Sequence, residues 1–205
     1  MLIFKVDNTN NKYLNIAGKY HIKQIRGGGL FMEMTYIFLL ITLIGAVLHL
    51  FLSKAERTKN RVFEVFLMWF LFIMVGIGSI WAFIGHAFMS STIAAMIGWP
   101  AGNPFQLEVG VANLSYGILG LLCLKFRDSF WIATVIAVST FYLGAAYIHV
   151  TNIMQTGNLA AGNAGYALYI DILIPIILIC LLIAYNLTKN GLAKDIGDSN
   201  TPKSA

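Results

Sequence analysis

Hydrophobic residues in this chain come in long, nearly unbroken runs, without the two-residue alternation of a half-buried strand or the single apolar stripe of a surface helix. The runs cover about residues 35–52, 62–89, 104–124, 130–152 and 166–187, with short polar segments between them. Each reaches or exceeds the roughly 18 residues that mark a helix able to cross a bilayer. The run over 62–89 has length to spare for tilting. The pattern predicts an all-α protein, a polytopic transmembrane bundle of five spans within residues 32–188.

Composition agrees with the pattern. Of the 205 residues 58% are hydrophobic and 11% charged, against about 25% charged in soluble domains. The net charge of +5 adds topology. No Lys or Arg occurs from Val62 to Leu124 or from Asp128 to Thr188. The basic residues fall in the 54–61 and 125–127 connections and in a polar C-terminal tail over 189–205. That distribution is a positive-inside signal, not a nucleic-acid footprint. It predicts an N-out, C-in protein of the cytoplasmic membrane whose surroundings are the lipid bilayer, with the loops 90–103 and 153–165 outside.

The first 31 residues differ from the rest. Lys5, Lys12, Lys19, Lys23 and Arg26 lie among scattered Asn, followed by Gly27-Gly28-Gly29, and no signal-peptide core is present. They read as a polar basic tail, or as sequence upstream of a start at Met32 or Met34; five exported basic residues would violate the topology rule, which favours the later start. Cys123 and Cys180 have no metal-type spacing and read as free, buried small hydrophobes.

Charged groups inside apolar runs are costly, about 2.5–3.5 kcal/mol for Asp at mid-helix on insertion scales. Four ionisable residues are therefore informative: His86, Glu108, His149 and Asp171, each on a different span. At about 1.5 Å per residue, His149 stands roughly 28 Å up its helix from Phe130. His86 is similarly far from Val62, while Glu108 and Asp171 lie about one turn below the outer ends of their spans. Alternating helix direction brings all four to one level. Gln106, Asn113, Tyr142 and Asn152 are polar neighbours that would support such a site. Small residues (Gly76, Gly78, Ser79, Gly110, Ala112, Gly144) would let helices approach closely there. By contrast, His49 and Glu64 read as end residues beside the basic connection.

Other signals are local. Asn103-Pro104-Phe105-Gln106 reads as a helix start, with Asn as cap, Pro at the first position and Gln106 completing a capping box. Two imidazoles and two carboxylates could hold a divalent metal at His86, Glu108, His149 and Asp171. They could also relay protons, and two histidines on neighbouring helices could hold a haem axially. No H-E-x-x-H, nucleotide loop, nucleophile elbow or Cys-x-x-Cys is present.

Three stretches carry a resemblance: Gly98-Trp99-Pro100-Ala101-Gly102-Asn103-Pro104-Phe105-Gln106-Leu107-Glu108-Val109-Gly110 with Ala112-Asn113-Leu114, then Phe130-Trp131-Ile132-Ala133-Thr134-Val135, then Gly162-Asn163-Ala164-Gly165 with Asp171-Ile172-Leu173-Ile174-Pro175. From about Phe72 to Leu182 the chain is similar to a family of small multi-pass prokaryotic membrane proteins of undefined function. The resemblance implies a multi-pass membrane protein and assigns no catalytic residue. The leading expectation is binding or transport of a metal ion, proton or small solute. The alternatives are a metal- or haem-dependent redox enzyme on the same residues, and a scaffold whose polar groups pin helices together. The inner halves of the spans offer no polar path, so conduction would need a homo-oligomer.

Overall fold

The computed structural model describes residues 33–199, with side chains described to Gly191; the N-terminal segment over 1–31 and the end of the C-terminal tail lie outside the described residues. Among the described residues every regular element is helical. We number them α1 (Glu33–Leu52), α2 (Lys59–Phe88), α3 (Ser90–Ile97), α4 (Phe105–Leu122), α5 (Ser129–Thr156) and α6 (Tyr166–Ser199). All except α3 are long and apolar enough to cross a membrane. The five expected spans are all present, with ends shifted by a few residues. The largest shift is in α6, which runs on into the polar tail.

The loop expected over 90–103 is partly helical. Met89 leaves helical geometry at φ −129° and ψ 31°, and α3 starts at the next residue. It stops at Gly98, whose φ of +80° is left-handed and suits glycine.

Helix α2 is the centre of the bundle. Its first half packs against α6 and its second half against α4, while α5 packs along α6. Its middle, Phe70–Ile77, is a π-helix of eight residues, a form that usually lasts only one turn and often sits near functional positions. Leu71, Ile73, Met74 and Val75 are buried there and form the core with Trp131, Val138 and Leu178. Close approach of α4 to α2 depends on missing side chains. A Cβ on Gly120 would lie 2.4 Å from the Gly76 amide nitrogen, and one on Gly117 would lie 3.1 Å from the Gly76 carbonyl oxygen. Helices α4 and α5, in contrast, touch only briefly, where the Tyr116 and Phe141 rings sit 5.0 Å apart.

One end of the bundle gathers the basic residues. Glu64 pairs with Arg61 at 2.9 Å and with Arg127. Asn60 donates to the Tyr185 carbonyl at 3.0 Å and to the Thr188 hydroxyl at 3.1 Å. The Tyr185 hydroxyl and the Lys189 ammonium both donate to Asp128. Nearby, His49 accepts from the Trp69 indole at 3.3 Å. Cys123 is buried as expected, but Cys180 is exposed, because it falls on the side of α6 turned away from the bundle.

Hydrogen bonds from Lys189 and then Tyr185 hold the Asp128 carboxyl below the usual carboxylate range. A depressed carboxyl contributes stability above its unfolded value of about 3.9 and loses it as pH falls through the native value. The contribution is small, because the Asp128 side chain is 57% exposed and solvent screens it. Asp128→Asn is expected to lower the unfolding midpoint slightly at neutral pH and to shallow its decline below about pH 4. Parallel melting curves for wild type and variant from neutral pH into acid would contradict this.

Candidate functional site

At the opposite end, α3 and the loop between α5 and α6 lock together. The Gly162 amide donates to the Met96 carbonyl at 3.0 Å, and a Cβ on Gly162 would lie 2.8 Å from that same oxygen. Asn152 accepts from the Trp99 indole at 3.2 Å and from the Asn158 amide at 2.8 Å; Asn158 also donates to the Ile97 carbonyl at 2.9 Å. Asn152 thus acts as a clasp for the cap formed by α3 and this loop.

That clasp fixes His149. Asn163, wholly buried, donates through Nδ2 to the Asn158 carbonyl at 2.8 Å, so its Oδ1 faces the His149 Nδ1 at 2.8 Å. A carbonyl oxygen only accepts, so the His149 Nδ1 carries a proton and donates it. The His149 Nε2 then faces Asp171, with Oδ2 at 3.7 Å. This exceeds a direct hydrogen bond, and a shift of about 1 Å would close it. The Trp99 ring stacks on the imidazole, centroids 5.9 Å apart and planes 24° from parallel. Pro175 lies four residues after Asp171 inside α6 and removes the amide that would bond the Asp171 carbonyl in a regular helix.

His86, near the end of α2, meets α4. Its Nδ1 lies 2.6 Å from the buried Gln106 Oε1. Gln106 was expected to complete a capping box. Asn103 does cap the helix, accepting from the Phe105 amide at 2.9 Å, but the Gln106 carbonyl is turned across the interface to the histidine.

All four ionisable residues line one cavity of about 670 Å³, in company with Gln106, Asn113 and Tyr142. Asn152 is not among the lining residues and works through the clasp. The cavity lies between the start of α1, the second half of α2, α3, the first turns of α4, the last half of α5 and the start of α6. Its walls are mostly apolar and aromatic. Glu108 is an exposed member in the first turn of α4, where the helix dipole favours its charge. Gly144 plays a different part from the one expected: a Cβ there meets nothing within 4 Å, so it leaves room in the cavity instead of admitting a helix.

The lining residues do not converge as a ligand set. Among the described residues no three His, Cys, Asp or Glu side chains come together in a way that could hold a metal ion. His86 turns to Gln106, and both nitrogens of His149 face protein partners, so the two imidazoles are not aimed at one iron. Equal depth set the level of these residues but not the direction in which each points.

Trp99, Asn158 and Asn163 organise the site and were not singled out for it by reasoning on depth. Trp99 and Asn163 lie in the Trp-Pro and Gly-Asn-Ala-Gly stretches that carried the resemblance, whereas Asn158 lies outside them.

Fold and cavity together define a class, helical membrane proteins with a ligand-sized chamber near one end of the bundle. Within it, the chain belongs to a family of unknown function, DUF6790, whose model matches residues 32–191. No curated protein and no solved structure matches the chain.

Proposed function

We propose that this is a multi-pass protein of the cytoplasmic membrane, N-terminus out and C-terminus in, that binds a small solute in a chamber near the outer face. The orientation rests on the basic end of the bundle, which the positive-inside tendency puts in the cytoplasm. The binding function rests on one observation: a cavity of about 670 Å³ with mostly apolar walls and a few polar residues among its lining. That size and lining are typical of small-molecule sites, which run from about 300 to 1,000 Å³. Binding fits the geometry better than metal or haem chemistry, since the histidines engage Gln106, Asn163 and Asp171. It also fits better than conduction through one chain, because Leu71, Trp131, Val138 and Leu178 pack the bundle below the chamber.

A filled chamber provides the test. Gly144→Trp adds a large ring at a lining position where a Cβ meets nothing within 4 Å. The full chain in lipid nanodiscs, corrected for empty discs, is expected to bind the neutral dye Nile red saturably, and the Gly144→Trp protein to lose most of that binding. Uptake no greater than that of empty discs, or equal uptake by both proteins, would sink the binding reading.

A further inference from the structure

The walls of the chamber narrow the class of solute, and this step rests on the binding reading above. Among the described residues that line it there is no Lys or Arg, whereas Glu108 and Asp171 contribute two carboxyl groups. Eight of the lining residues are Phe, Tyr or Trp, with Trp81, Phe141, Tyr142 and Tyr166 among them. Aromatic faces carry negative charge density and attract cations, the more so where water is excluded. A carboxylate or phosphate on the solute would meet like charge and no cationic partner, while a positive group would meet both kinds of attraction.

Both histidines are held by protein partners. His86 is turned to the Gln106 carbonyl oxygen, which calls for a donor at Nδ1 and leaves Nε2 as the other ring nitrogen. In the His149–Asp171 pair, Nδ1 is committed to Asn163, so one proton between Nε2 and the carboxyl makes the pair neutral and none leaves it negative. Glu108 adds a carboxylate of its own. We propose that the chamber binds a lipophilic organic cation, such as an aromatic or alkyl quaternary ammonium or phosphonium, held between aromatic faces and the carboxylates of Glu108 and Asp171.

Two probes of nearly identical shape and opposite charge separate charge recognition from size. Tetraphenylphosphonium and tetraphenylborate would be titrated into nanodiscs holding the full chain, with empty discs subtracted. The expected result is saturable phosphonium binding, no borate binding above empty discs, and phosphonium affinity about tenfold or more weaker in Glu108→Gln/Asp171→Asn. Equal binding of both ions, or undiminished phosphonium binding by the double variant, would overturn the cation proposal. So would failure of both ions to bind while Nile red still binds, and the binding reading would then stand. Failure of Nile red as well would remove both. The comparison between ions uses the wild-type protein, so it does not depend on how the variant folds.

Discussion

Gly120→Ala is expected to cost about 3 kcal/mol of stability, the upper part of the range for overpacking, and to lower the melting temperature of the purified protein clearly. One methyl is a small change, but its neighbours cannot move aside. The new Cβ would lie 2.4 Å from the Gly76 nitrogen, 2.6 Å from the Gly76 Cα and 2.6 Å from the Leu71 carbonyl oxygen, all backbone atoms of the π-helix. Relief would require α4 to back away from α2. That movement would also disturb the His86–Gln106 contact, which bridges the same two helices further along. Gly144→Ala is the control. It adds the same methyl to a helix where nothing lies within 4 Å, and alanine should gain about 0.5–1 kcal/mol from helix propensity. Similar melting temperatures for the two variants would mean that the close seam between α2 and α4 does not hold the bundle together.

The contrast between those two glycines shows what the sequence could and could not reveal. Span number, the level of His86, Glu108, His149 and Asp171, and the crowding of basic residues at one end all follow from hydropathy and a fixed rise per residue. Such quantities accumulate along a chain. Which way a residue faces does not, because it depends on neighbours that belong to other helices. Gly144 and Gly120 are both glycines in apolar runs; one borders a chamber and the other touches backbone. The π-helix over Phe70–Ile77 shifts the facing of everything after it in α2, and no proline or polar residue in that stretch announces it. Helix α3 was hidden for another reason, being only eight residues long and starting Ser90-Ser91-Thr92, which reads as loop. Gln106 was assigned to a local cap because sequence displays partners three residues away and conceals His86 twenty residues earlier.

Asn163→Leu is expected to reduce both stability and binding in the proposed chamber, although Asn163 itself is not among the lining residues. The side chain is fully buried and satisfies two partners, the His149 Nδ1–H and the Asn158 carbonyl. Leucine has similar bulk and offers neither bond, and each orphaned buried group costs about 1–3 kcal/mol. The loss should not remain local. Without its acceptor the His149 ring can turn, Nε2 no longer faces Asp171, and the stacking with Trp99 loosens. His149→Ala/Asn163→Leu supplies the check. If Asn163 acts by orienting the imidazole, the double variant should lose much less than the sum of the two single losses, with a coupling of about 0.5–3 kcal/mol in a thermal or chemical unfolding cycle. Strict additivity would mean that Asn163 supports only its own loop. The chamber would then owe its shape to helix packing alone, and the chain from Asn158 through Asn163 to His149 and Asp171 would be separate contacts instead of one positioning device.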